Sequence, residues 1–378
     1  MLVASMFIAV ISVGSLAIAK ATADSNDLSQ TNTPMQQKQV VSTPQGSVIN
    51  KSDLGTGTAP VTPTSATKPI AKKVVPITTA VTAPTVASGA IKGTSLYVSA
   101  EYRSAATAAA QNASSSDAQI LNRLANKATA KWFGGWSGDI KASVNNYVTG
   151  AQNVGQMPTL VAYNIPFRDC GGESAGGVSG AAAYAAWIQS FADGIAGRSA
   201  IVILEPDAIA ADCFNASRAD MLANAIRVLQ SSGASVYLDA GNPTWRSAAD
   251  ISNRLKQSGI VSAAGFSLNV SNFQTTLSNI NYGSQVSSLV GGKHFVIDTS
   301  RSGTGPAGDY GWCNPAGRAL GNEPTTQTGY RLVDAYLWIK VPGESDGACG
   351  PAIGSSYPPS AGTFWTEYAL MLARNAGW

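Results

Sequence analysis

The chain has 378 residues, enough for one large domain or two ordinary ones, and charged side chains make up only 12% of it. Net charge is +3 and the basic residues are scattered, with no basic stripe interleaved with aromatics, so nucleic acid is not an expected partner. The single histidine, His294, removes His-based catalytic triads and a His-rich zinc site, which leaves carboxylates to carry any chemistry, with no metal and no cofactor expected.

Residues 1–19 are almost wholly apolar and run into small-residue cleavage sites, so residues 1–23 read as a secretory signal. They lack a charged leading segment, and their length also permits an uncleaved membrane anchor. Residues 24–94 are rich in Thr, Pro, Ala, Val, Ser and Lys, a composition that cannot bury enough surface to offset chain entropy, and they are expected to form a linker. Residues 95–378 read as one compact α/β domain, which together with the leader points to a secreted or surface-anchored monomer. Four cysteines in an exported chain suggest two disulfides, and the sequence leaves three pairings open.

Within the domain, apolar runs alternate with helical patterns such as 180–194 and 218–231. Candidate strands are 128–134, 159–165, 200–205, 235–240, 263–269, 294–298 and 334–340. Seven such units imply a parallel sheet with right-handed crossovers, closed into a barrel or near-barrel. The run Ile201–Leu204 is too continuous for a strand with one wet face and fits burial on both. It stops at Glu205-Pro206-Asp207, where Pro206 turns the chain out of the sheet and presents Asp207 at the strand's carboxyl end. Barrel enzymes keep their chemistry there. A carboxyl among apolar neighbours has a raised pKa, as a general acid requires, although an isolated Asp in this position is equally an N-cap or a solvated turn residue.

The other strand ends decide between those readings. They carry Trp132 and Trp136, Asn164 to Asp169, Asp239 and Asn242, Asn269 and Asn272, Asp298, and Lys340 to Asp346. Acids and amides thus gather at one rim, with indole rings among them. His294 opens its strand, at the opposite end, and reads as structural. Carboxylates without histidine or metal, set beside flat rings, suit glycoside hydrolysis by an acid and a second carboxylate. Two-metal hydrolysis is the competing chemistry, and Arg168 and Lys340 at the same rim argue against clustered cations.

Six segments occur in order: Tyr163-Asn-Ile-Pro-Phe-Arg-Asp-Cys170, Leu204-Glu-Pro-Asp207, Tyr237-Leu-Asp-Ala-Gly241, Asn269-Val-Ser-Asn272, Trp312-Cys-Asn314 and Trp338-Ile-Lys-Val-Pro-Gly-Glu-Ser-Asp346. In this the region from about residue 94 to the end resembles glycoside hydrolase family 6, the inverting β-1,4-glucanases. The resemblance implies a distorted seven-stranded parallel (TIM-like) β/α barrel with an open cleft at the carboxyl ends of the strands. It implies Asp207 as general acid, Asp169 as the second essential Asp that keeps Asp207 protonated, and Asp346 as the proposed base. Tyr163, Ser174, Asp239, Lys340 and Glu344, with Trp132 and Trp312 as platforms, are implied to meet a β-1,4-glucan, and Asn242, Asn269 and Asn272 join them at the rim. It also implies the disulfides Cys170–Cys213 and Cys313–Cys349. Trp338, Trp365 and Trp378 are assigned to the core. One departure is Asn242, where many relatives carry His. Little chain separates Asp346 from Cys349, which favours an unroofed cleft and internal cutting, an endoglucanase. A cellobiohydrolase and a non-catalytic glycan-binding protein are the alternatives.

Overall fold

The computed structural model describes residues 90–306 and 311–378, and the expected signal or anchor with most of the expected linker lies outside them. Seven strands form where short apolar runs can be buried on both faces: β1 Lys131–Phe133, β2 Thr159–Ala162, β3 Ala200–Leu204, β4 Ala234–Asp239, β5 Gly265–Leu268, β6 His294–Asp298 and β7 Val333–Leu337. They pair in sequence order, all parallel. The helices are α1 Ala100–Gln111, α2 Ser115–Ala125, α3 Ile140–Asn153, α4 Ala181–Ile195, α5 Ala216–Ser231, α6 Ala248–Gln257, α7 Thr276–Leu289 and α8 Thr366–Asn375. Side chains of Ser114, Asp139, Asn215, Ser247 and Thr275 accept the third backbone N–H of the helices they precede, which fixes where α2, α3, α5, α6 and α7 begin.

Alternation along each strand splits the apolar residues between two cores. On β3, Val202 and Leu204 face the helical layer with Val236, Leu238 and Phe266, while Ile201 and Ile203 face the barrel interior with Val161, Tyr237 and Leu337. The sheet is a curled, TIM-like half-barrel. Its two edge strands do not pair, yet the Ala130 N–H donates to the Trp338 carbonyl at 3.0 Å and Trp132 Nε1 to the Ile339 carbonyl at 2.8 Å, drawing the edges together. A third cluster, with Trp338, Trp365 and Tyr368, joins α1, α2 and α8 to that seam. Trp338 and Trp365 are buried as expected, and Trp378 lies under the Arg123 guanidinium, 3.6 Å from its ring centroid.

The packed chain begins ahead of the boundary expected at residue 95. Ile91 is buried inside the barrel, and Lys92 Nζ donates to the Arg331 carbonyl at 2.8 Å, so one apolar side chain and one ion-dipole contact dock the end of the expected linker. At the far end of the barrel His294 Nδ1 lies 2.7 Å from Asp334, whose second oxygen accepts from the Tyr237 hydroxyl at 2.9 Å. His294 and Asp334 lie at the amino ends of β6 and β7, away from the rim, and Tyr237 reaches them from midway along β4 through the barrel interior.

Candidate active site

Backbone strain collects where the strands end. Phe167, Asp169, Cys170, Glu205, Asp207, Asn269, Ser271 and Asn314 all have positive φ, although none is glycine. Such conformations persist only where surrounding bonds over-determine them, and they cluster at functional sites. Between these turns lies a cleft of about 1440 Å³, walled by Trp132, Tyr163, Asp169, Asp207, Trp312 and Asp346 among others.

Asp207 sits half-buried on the cleft floor, held by its own backbone. Its N–H donates to Asp239 Oδ2 at 2.9 Å, and the Gly241 N–H and Ser267 hydroxyl donate to the same carboxylate at 3.1 Å each. Burial pushes the Asp207 carboxyl up to about 8, with the charges of Asp239 and Asp169 adding to it and the Tyr163 hydroxyl working against it. It therefore keeps its proton at neutral pH. Asp239 is itself raised to about 6 by burial, against the hydrogen bonds it accepts.

Asp169 lies in a short 3-10 turn following Arg168 and accepts the Ser174 N–H at 2.8 Å. Arg168 gathers the glycine-rich loop: its guanidinium donates to the Ser174, Tyr163 and Ala175 carbonyls and lies 4.3 Å from the Tyr163 ring centroid. Gly177 is required there, because a Cβ would lie 1.8 Å from the Ile165 carbonyl oxygen.

Asp346 has the opposite surroundings. Arg301 Nη1 lies 2.6 Å from one oxygen and Lys340 Nζ 3.0 Å from the other, and the Asn314 N–H donates at 2.9 Å. Burial works upward on its pKa, but Arg301 and Lys340 outweigh it and bring it to about 2. Asn314 fixes the segment around it: its amide oxygen accepts the Asp346 N–H, and its Nδ2 donates to the Gly347 and Cys349 carbonyls, each at 2.9 Å. Disulfides join Cys170 to Cys213 and Cys313 to Cys349, one beside Asp169 and one beside Asn314.

Of the other expected contacts, Tyr163, Ser174, Asn272, Trp132, Trp312, Lys340 and Glu344 lie on the cleft wall. Burial raises Glu344 to about 7, with Lys340 pulling down and Glu101 pushing up. Three do not lie on the wall. Asp239 is enclosed beneath Asp207, where its carboxylate is needed by the backbone of the turn. Asn269 spends its amide on the Asp298 and Gln274 carbonyls at 2.9 and 3.2 Å. Asn242 is buried and closes a local turn by accepting from the Thr244 N–H and hydroxyl. Asp298 likewise accepts the Ser271, Ser300 and Lys340 N–H groups. Arg301 and Asn314 were missed as site residues. Asn314 at least stands in a motif, Trp-Cys-Asn, whereas Arg301 carries no local signal. Among the described residues no group of three His, Cys, Asp or Glu side chains gathers around a point a metal could fill.

A carboxyl held neutral, a second held charged, and indole rings along one half-open cleft are the equipment of a glycoside hydrolase. The profile of Glycosyl hydrolases family 6 matches residues 91–376, and the chain belongs to that family. It is 47% identical over 273 residues to Endoglucanase A of Cellulomonas fimi, covering 71% of this chain and 59% of that protein's length. It is 44% identical over 283 residues to Endoglucanase 1 of Streptomyces halstedii, covering 71% of this chain and 85% of the relative. The endoglucanase Cel6 of Mycobacterium tuberculosis, solved with methyl-cellobiosyl-4-deoxy-4-thio-β-D-cellobioside, superposes with a TM-score of 0.70 at 43% identity, covering 77% of this chain and all (100%) of that one.

Proposed function

We propose that this chain hydrolyses internal β-1,4-glucosidic bonds of cellulose or a related β-glucan, with inversion at the anomeric carbon. The observation that carries the reading is a contrast of surroundings on one cleft: Asp207 is enclosed beside the carboxyls of Asp239 and Asp169, which favours its proton, whereas Asp346 is held by Arg301 and Lys340, which favours its charge. Asp207 gives its proton to the glycosidic oxygen as the bond to the anomeric carbon breaks. Asp169 sustains that protonation by its negative charge and takes part in returning a proton to Asp207 from solvent. Asp346 faces the attacking water's side. At so low a pKa it holds a proton poorly, so it orients and polarises the water, and the proton passes on to solvent. Lys340 and Glu344 grip the sugars on the non-reducing side, Tyr163 and Ser174 border the cleaved one, and Asn272 meets the glucan from the cleft wall. Asp239 acts through the Asp207 turn rather than on substrate.

Internal cutting is supported by the uncovered platforms: Trp136, Trp245 and Trp312 line the cleft at 59%, 43% and 50% exposure, which a roofed tunnel would conceal. The similarity to proteins named endoglucanases points the same way. Two disulfides fit an oxidising compartment, and export is proposed through residues 1–23, as a signal or as an anchor, with the protein acting as a monomer. Among the described residues no helix is long and apolar enough to cross a membrane. Inversion is tested by proton NMR of the anomer formed first from cellopentaose: the α-anomer is expected, and a β-anomer would overturn the mechanism.

A further inference from the structure

Behind the cleft lie two buried side chains that no catalytic role yet uses, Glu205 and Arg218, at 0% and 4% exposure. Glu205 immediately follows β3, two residues before Asp207. Its carboxylate accepts the Asn164 N–H at 3.0 Å from both oxygens and the Ile165 N–H at 3.1 Å. Arg218, in the first turn of α5, continues along the same backbone: Nη2 donates to the Pro166 and Phe167 carbonyls at 3.2 and 2.8 Å. Two N–H groups and then two carbonyls of one four-residue segment are therefore held by one acid and one base.

That segment leads directly to Asp169. Phe167, Asp169 and Cys170 have φ of +53°, +53° and +52°, a conformation that costs free energy at each position and must be imposed from outside. The Cys170–Cys213 disulfide holds its far end, and Cys213 lies just ahead of Asn215, which caps α5. Glu205 ties the near end to the strand that presents Asp207.

We infer that Glu205 and Arg218 are positioning residues, a buried clamp on the backbone of residues 164–167 that sets Asp169 against Asp207. The inference rests on the glucanase reading above. Neither residue lines the cleft, so loosening the clamp disturbs the proton donor while leaving the sugar platforms in place.

The test compares wild type, Glu205→Gln, Arg218→Met and Arg218→Lys on cellopentaose and on 2,4-dinitrophenyl β-cellobioside, whose leaving group needs little protonation. Glu205→Gln replaces one acceptor oxygen by an NH2 that must face the Asn164 N–H, and Arg218→Met leaves two carbonyls unheld. Each is expected to lower kcat on cellopentaose about 10–100-fold, the scale set by displacing a reacting group by roughly an ångström, with KM within about twofold. The loss on the dinitrophenyl substrate is expected to be several-fold smaller, and Arg218→Lys recovers part of the cellopentaose loss. Thermal melting establishes which variants fold, and if Glu205→Gln does not, the two Arg218 variants decide. Folded variants with wild-type kcat, or with equal losses on both substrates, would overturn the clamp. Wild type inactive on every β-1,4-glucan would instead overturn the glucanase reading and take the clamp's role with it.

Discussion

Burial alone pushes both Asp207 and Asp346 toward the neutral form, and their neighbours separate them. Asp207 meets two further carboxyls, Asp239 and Asp169, whereas Asp346 meets Arg301 and Lys340. The folded pKa of Asp207, about 8, lies above its unfolded value near 4, so its contribution to stability is complete below pH 4 and is lost as pH rises through about 8. Activity on polymer should accordingly fall along an alkaline limb near pH 8, an apparent value belonging to the coupled carboxyls together. Asp207→Asn cannot ionise there, so its melting temperature relative to wild type should climb between pH 5 and pH 9, read by calorimetry; a constant difference would contradict the burial argument. For Asp346 the sign reverses: its folded pKa of about 2 is depressed, so its contribution is present above pH 4 and is lost as pH falls from there through about 2. Arg301→Met leaves that carboxylate enclosed with Lys340 as its one cationic partner among the described residues and should cost roughly 3–5 kcal/mol by urea unfolding at pH 7. A loss under 1 kcal/mol would show the ion pair to be solvent-relaxed.

At the scale of elements, the strand ends are rigid because side chains from neighbouring loops satisfy their backbone. Asn314 is the hub of one such junction, bonding Asp346, Gly347 and Cys349. Asn314→Ala leaves those part-buried groups without their side-chain partner, at up to about 1–3 kcal/mol each, and should reduce kcat on cellopentaose at least tenfold by releasing Asp346. An unchanged kcat in a folded variant would show that Arg301, Lys340 and the Cys313–Cys349 disulfide hold Asp346 without the Asn314 side chain. Strand positions were legible because runs such as Ile201–Leu204 admit no wet face, and the 294–298 prediction coincides with β6. Boundaries were overrun at both ends of β5, where backbone bonds to the β4 segment continue beyond the strand itself. Residues 263–264 belong to the turn before β5, and Asn269 already has positive φ. The rim's acids and amides were legible as to place and not as to direction. Asp239, Asn242, Asn269 and Asp298 were drawn inward by N–H, hydroxyl and carbonyl groups of the turns, whose demand no sequence pattern displays. Arg301 was invisible for the related reason that its partner, Asp346, is 45 residues away.

For the whole molecule, the proposed internal cutting rests on the Trp136, Trp245 and Trp312 rings that the described residues leave exposed along the cleft. The central claim is that such a cleft cuts internally with Asp207 as its acid. The measurement that tests it most directly is the viscosity of carboxymethylcellulose against reducing ends released, for wild type and Asp207→Ala. A steep fall in viscosity at few ends, reduced by orders of magnitude in the variant, is the expected result. Ends accumulating while viscosity holds nearly constant, or a variant as active as wild type, would contradict it.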